Sequence, residues 1–473
     1  MSHTIGTGRV PAATHAQRRR QLMEKLGRPV LLLGNGVRAR NLPMTPLPFR
    51  QDSTFLYFTG CREPDAAILI DRDGSRLYLP EPAPDDPLWH GDVPTFAELG
   101  ATFDVAGVFD TDRLADDLRD VAEHPATLAI ADEARNAWIE DELGVPLRFG
   151  DAFGDDDLVS AVIELRRPKT AIEVGMLRQA AKHTAAAHKA VAAGAKPGVH
   201  ERSLVALFRA VLGANGCTEG YPTILTQRGE VLHNFHHEHR LEAGTLLLVD
   251  GGGEVEEGYG CDVTRTWPVS GMFQGRQRAA YEAVLAAQDA AIDRCRAGVR
   301  YRHVHDTACR VLADFLVDER LVTISADEAV ATGAHALFFP HGVGHLLGLD
   351  VHDLENFGDL PSYPIGRGRP DQFGTCYLRL DRVLEPGWVV TVEPGFYVVP
   401  AILHDAALRQ RFDGKVDFER AEKWLGFGGI RIEDDILVTD GAPDNLTEAV
   451  PRSVPGVEAL TGRGVAISAV LDA

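Results

Sequence analysis

The chain is 473 residues long, more than one ordinary core organises at roughly 100 to 200 residues per domain, and two domains are expected. A hydrophobic fraction of 45% and a charged fraction of 25% are those of a globular enzyme, and no apolar run approaches the about 18 residues that a membrane span needs. With 69 acidic against 48 basic residues, the formal charge of −21 argues against nucleic acid and anionic lipid as partners and favours a small substrate or a cation.

The first thirty residues carry Arg18, Arg19 and Arg20, but the apolar stretch after them, residues 30–33, is far too short for a signal-peptide core, so a cytoplasmic protein is expected. Short apolar runs at 30–33, 66–70 and 127–130 alternate with helix-like stretches such as 112–122, the pattern of an α/β domain. The charged junction Arg166, Arg167, Pro168 and Lys169 precedes a long alanine-rich helix expected over 172–193, which stops at Gly194 and Pro197. The domain boundary falls there, giving an N-terminal domain of residues 1–167 and a second domain of 168–473. Beyond it, helices are expected at 201–212, 276–296 and 304–317, and strands at 245–250, 261–269, 388–393 and 430–438, a mixed α+β domain. The six cysteines (Cys61, Cys217, Cys261, Cys295, Cys309, Cys376) form no CxxC pair and read as reduced, mostly buried thiols.

The residues able to do chemistry cluster with those strands. In LLLVDGGGEVEEGYGCDVTRTWPV an apolar strand ends in Asp250, passes three glycines and returns in a second strand, whose alternation puts Asp262, Thr264 and Thr266 on one face. Such a hairpin can bring both aspartates to one side. HGVGHLLGLDVHD holds His341, His345, His352 and Asp353 within thirteen residues; Gly342, Gly344 and Gly348 favour an irregular or extended segment and let the backbone approach a ligand. LEPGWVVTVEPGFYV buries Glu393 at an apolar strand end, and GFGGIRIEDDILV sets Arg431 and Glu433 on one side with Ile430 and Ile432 on the other. A buried acid at a strand end needs a partner or a metal. Taken singly, these residues also have ordinary structural roles: Asp250 capping a glycine turn, histidines hydrogen-bonded in a loop, Glu433 paired with Arg431. Taken together, Asp250, Asp262, Glu393 and Glu433 supply four carboxylates and His345 an imidazole. Two divalent cations balance that charge, and oxygen-rich ligation suits manganese. Without metal the carboxylates would repel one another and shift their pKa values upward.

These motifs, in this order, resemble those of the pita-bread metallopeptidases, a family that contains aminopeptidase P, prolidase, creatinase and methionine aminopeptidase. The run FRQDSTFLYFTGCREPDAAILID, residues 49–71, resembles the N-terminal domain of aminopeptidase P. The resemblance implies an α/β N-terminal domain followed by an α+β pita-bread catalytic domain. It implies that Asp250, Asp262, His345, Glu393 and Glu433 ligate two metal ions, with Asp262 and Glu433 bridging. It further implies that His233, seventeen residues before Asp250, and His352 contact substrate, that His341 lies near the proline pocket and that Arg431 stands beside the metal centre. Asp250 and Asp262 are twelve residues apart, one more than the family's usual spacing. In the 251–258 turn the extra residue leaves both strands in register, whereas within a strand it would turn a side chain to the wrong face. The turn is where it is expected.

The activity so implied is metal-assisted hydrolysis of the bond between an N-terminal residue and proline. Two ions would lower the pKa of a bridging water, Glu393 would take its proton and pass it to the leaving nitrogen, and His233 and His352 would hold the carbonyl or stabilise its oxyanion. YLRLDRVLEPG puts Arg379 fourteen residues before Glu393, as in prolidases whose arginine there holds a dipeptide's terminal carboxylate, although a surface arginine fits the same pattern. Arg379 and the stretch 400–424 lean towards an Xaa-Pro dipeptidase acting on proline-containing dipeptides; the N-terminal run leans towards an Xaa-Pro aminopeptidase acting on short peptides. A catalytically inactive pita-bread binding module, or metal-free creatinase-like chemistry, fits the full set of five ligands less well. A homodimer or homotetramer is expected by analogy with the family.

Overall fold

In a computed structural model, which describes residues 10–121 and 123–464, the chain divides into two compact units. Ala122, at the end of the helix expected over 112–122, lies outside the described residues, as do the outer ends of both expected domains. One unit comprises the residues up to Arg167 together with Leu354–Pro361, and the other holds Pro168–Asp353 and the chain from Ser362 onwards.

The first unit is built on a five-stranded sheet in the order Gly107–Asp110, Gly74–Leu79, Ala67–Asp71, Val30–Leu33, Ala126–Thr127. Its two inner pairings are antiparallel and its two outer ones parallel. All four residues of Val30–Leu33 are buried, which explains why this central strand reads as an unbroken apolar run rather than an alternating one. Leu31, Leu33, Leu69 and Tyr78 pack with Leu118 and Ile139, which come from the helices Leu114–Asp120 and Glu133–Leu143. The Tyr78 hydroxyl, carried into this core, donates to Asp117 at 2.7 Å, as a buried phenol must find a partner.

In the second unit the helices pack in pairs, Ala171–Gly194 with Glu201–Ala214 and Arg276–Ile292 with Tyr301–Asp318. The first of them starts in a capping box in which Thr170 and Glu173 satisfy each other's backbone amides. One three-stranded sheet runs Thr264–Pro268, Leu246–Asp250, Ile224–Thr226; a second runs Val389–Val392, Asp434–Leu437, Asp444–Asn445. The expectation of one strand over 430–438 is corrected here. Gly429–Arg431 pairs with Gly395–Tyr397, while Asp434–Leu437 pairs with Val389–Val392. The chain changes partner at Ile432 and Glu433, where the Glu433 amide turns to donate to the Thr264 carbonyl at 3.0 Å. Ile430 and Ile432 before the break and Ile436 and Val438 after it keep one alternating register around Asp434, which reads as a single strand. Among the described residues, no helix is long and apolar enough to cross a membrane.

Candidate metal centre

Antiparallel register brings the first two acids together. Thr264 lies opposite Asp250, so Asp262, two residues earlier in its strand's approach, sits just beyond the end of Leu246–Asp250. Between them the chain forms the short strand Gly253–Glu254 and a bridge from Glu254 to Gly260, both outside the two long strands. No side chain fits where this loop folds back, because a Cβ on Gly252 would land on the Cys261 carbonyl oxygen. The result is visible at Tyr221, whose hydroxyl lies 2.6 Å from Asp250 Oδ1 and also contacts Asp262 Oδ1.

The histidine motif is extended, and its backbone is bonded along the strand Val389–Val392 and on to Glu393, the residue after it. Glu393 N–H donates to the Val343 carbonyl at 2.8 Å, and Thr391 N–H donates to the His345 carbonyl at 3.0 Å. Gly344 makes this approach possible: its φ is +154°, and a Cβ there would strike the Thr391 carbonyl oxygen and the Tyr301 hydroxyl. His345 Nδ1 lies 3.0 Å from the Leu346 carbonyl. A carbonyl only accepts, so Nδ1 carries the proton and Nε2 keeps the lone pair, 3.4 Å from Asp262 Oδ2.

Potential ligand atoms of three overlapping sets lie within 4.8 Å of one another: Asp250, Asp262 and Glu433; His345, Glu393 and Glu433; Asp262, His345 and His352. Asp262, His345 and Glu433 each belong to two sets. Burial pushes Asp262 up to about 7, with Asp250 adding to the effect, and pushes Glu393 up to about 8. Glu433 is driven well above the usual carboxylate range by burial and by its three acidic neighbours. Such a cluster cannot hold four negative charges by itself, and an oxygen-rich donor set with one poised imidazole fits two divalent cations. The residues present thus suit a dinuclear centre.

Arg431 does not pair with Glu433. Its guanidinium reaches Asp250 Oδ2, Thr264 Oγ1 at 3.0 Å and the Tyr397 hydroxyl at 2.9 Å, while Glu433 accepts from Thr264 Oγ1 at 2.8 Å. Tyr397 in turn lies 2.9 Å from His341 Nε2, and His341 Nδ1 lies 2.8 Å from the Gly342 carbonyl. Nδ1 must donate, so Nε2 accepts the Tyr397 proton and the ring is locked neutral; burial and the Arg431 charge hold its pKa at about 3. His233 is lowered by burial and by Arg431, and His352 by burial and by His345.

His233, His341, His352, Arg379 and Arg431 line one cavity of about 730 Å³ together with His345 and the four acids Asp250, Asp262, Glu393 and Glu433, whereas Asp353 of the histidine motif pairs with Lys169 instead. Sequence reasoning missed Tyr221, Thr264 as a ligand-orienting hydroxyl, Tyr397, and Arg369 with Phe373 and Tyr377 on the cavity wall. Tyr397 stands four residues after Glu393 in the quoted EPGFYV run and was within reach; lone residues such as Tyr221 carry no pattern.

The model of metallopeptidase family M24 matches residues 175–440, and that of the aminopeptidase P N-terminal domain matches residues 15–129. A probable Xaa-Pro aminopeptidase of Emericella nidulans is 32% identical, over 97% of this chain and 98% of its own. The Xaa-Pro dipeptidase of Homo sapiens is 31% identical, over 96% of this chain and 94% of its own. Among solved structures, the Pseudomonas aeruginosa aminopeptidase PepP is similar with a TM-score of 0.79 at 29% identity, covering 95% of this chain and 98% of that one.

Proposed function

Because this chain belongs to metallopeptidase family M24, with an aminopeptidase P N-terminal domain ahead of a pita-bread catalytic domain, we propose that it hydrolyses the bond between an N-terminal residue and proline, as an Xaa-Pro dipeptidase. Residues 1–167 and 168–473 are the domains of this reading. Asp250, Asp262, His345, Glu393 and Glu433 would hold two divalent ions, and their oxygen donors would suit Mn²⁺. The ions supply Lewis acidity towards the scissile carbonyl and the attacking water.

The chain's own groups do the rest. Proline's amide nitrogen has no hydrogen and leaves only when protonated; Glu393, at the cavity wall, takes the water's proton and delivers it there. His233 and His352, both lowered in pKa, are neutral donors at pH 7, able to hold the carbonyl oxygen as charge develops without adding positive charge beside the ions. His341 is a neutral wall of the pocket for proline, fixed by Tyr397 and Gly342.

Arg379 carries the dipeptide reading. It lines the cavity, and its charge reaches His233, His341, His352 and Glu393. Arg369 lines the same cavity, so a carboxylate directly after proline would meet two guanidiniums. The test is turnover of Ala-Pro beside Ala-Pro-Ala by the Mn²⁺-reconstituted protein, with Arg379→Ala in parallel. The dipeptide should be preferred, and its KM should rise roughly 10- to 150-fold in the variant, the worth of about 1.5 to 3 kcal/mol for a charged hydrogen bond. A second reading, Xaa-Pro aminopeptidase, is favoured by the name of the Emericella nidulans relative. It predicts preference for the tripeptide and an indifferent Arg379→Ala. Cleavage of neither ends both readings.

A further inference from the structure

Outside the cavity the described residues hold one more set of metal-capable side chains, His305, Cys309 and His335. His305 and Cys309 are four residues apart on the helix Tyr301–Asp318 and share one face of it. His335 comes from the 3-10 turn Ala334–Leu337, which packs against that helix. Their potential ligand atoms lie within 4.8 Å of one another, and the three residues are only 2%, 1% and 3% exposed.

The donors are arranged as ligands are. Cys309 Sγ lies 3.3 Å from His305 Nε2. A tetrahedral ion with sulfur at about 2.3 Å and an imidazole nitrogen at about 2.0 Å would separate those two atoms by about 3.5 Å. His335 Nδ1 is 3.1 Å from the Ala329 carbonyl, so it must carry the proton, and Nε2 is left as the ring's lone pair, the arrangement that orients metal-binding histidines. A thiol is a weak donor, so the Cys309–His305 contact is weak as a hydrogen bond between two buried groups.

We propose that His305, Cys309 and His335 bind one borderline-soft transition-metal ion, Zn²⁺ by preference, at a buried three-ligand site separate from the two catalytic ions. Thiolate and imidazole select such an ion, whereas the oxygen-rich centre selects harder ones, so the two sites sort metals by donor type. Burial holds His305 at about 3 and keeps His335 below its ordinary value, so both rings are neutral with lone pairs available at pH 7. Burial also pushes the Cys309 thiol well above its usual range. Binding therefore replaces the Cys309 S–H proton with the metal–sulfur bond and releases that proton to solvent, with no change of oxidation state. The ion lies behind the cavity wall: the His305 ring is 5.7 Å from that of Phe339, and Phe339 is 4.8 Å from His341.

The experiment uses the full chain saturated with Mn²⁺ and then given one equivalent of Zn²⁺, with zinc-edge X-ray absorption as the readout. A sulfur scatterer at about 2.3 Å is expected, since none of the residues assigned to the catalytic ions offers sulfur. It should vanish in Cys309→Ser, and zinc affinity should fall on the order of tenfold or more in His335→Gln. A wild-type zinc shell of nitrogen and oxygen alone overturns the proposal, as does a sulfur signal that survives Cys309→Ser. Should Cys309→Ser not fold, the wild-type spectrum and His335→Gln still decide. Failure here leaves the peptidase reading untouched, because no readout is turnover.

Discussion

Replacing Lys169 by methionine tests how the catalytic unit holds its histidine motif. Lys169 Nζ lies 2.9 Å from Asp353 Oδ2, and each side chain is 1% exposed. At an effective dielectric constant of about 20, two unit charges at that distance attract by about 6 kcal/mol. Removing both ions from water costs several kcal/mol each, so the intact pair contributes little net stability. Removing one partner is different, because the remaining carboxylate keeps its desolvation and loses its counter-charge, at about 3–5 kcal/mol. Lys169→Met should therefore destabilise the unit by about 3–5 kcal/mol at pH 7. The double variant Lys169→Met with Asp353→Leu should return to within about 1 kcal/mol of wild type, as apolar replacements of buried pairs commonly do. Urea unfolding followed by tryptophan fluorescence measures this, with Trp267 and Trp388 as buried reporters in the same unit. The reasoning fails if the single variant is as stable as wild type, or if the double variant is no more stable than the single one.

Tyr221→Phe removes the hydroxyl that joins Asp250 to Asp262; metal affinity should fall about 10- to 100-fold while the fold is retained, which a Mn²⁺ titration checks. In the N-terminal unit, burial lowers His15 from 6.5 to about 4, and its Nδ1 is 2.9 Å from the Tyr57 carbonyl. The folded state thus favours the neutral ring, and the unfolded chain takes up a proton first as pH falls. That stability is whole above pH 6.5 and declines towards pH 4, by about 2 kcal/mol at pH 5. His15→Gln should flatten this slope in urea unfolding at pH 7 and pH 5; an unchanged slope would assign the acid sensitivity elsewhere.

Two of the acids were legible because each sits where a strand runs out beside glycine or proline, a place where burial is costly without a purpose. Asp250, before Gly251, and Glu393, before Pro394, share that signature, whereas Glu433 stood out as an acid within an apolar alternation. What closes around them was not legible, because it depends on contacts between segments far apart in the chain. Arg431 looks paired with Glu433 by alternation, yet it spans to Asp250, 181 residues away. The break at Ile432 and Glu433 arises because the Glu433 amide meets the Thr264 carbonyl, which no local pattern encodes. Cys309 reads as an inert buried thiol until the turn at Ala334–Leu337 brings His335 to it.

The backbone bonds from residues 343–345 to Thr391 and Glu393 set the spacing of His345 and Glu393 through the main chain. Arg369, Phe373 and Tyr377, on the cavity wall, belong to another stretch whose only regular element there is the short turn Thr375–Tyr377. Reaction frame and rim are therefore separable modules for evolution: substitutions in the rim can retune which peptides are admitted without moving the atoms that cut.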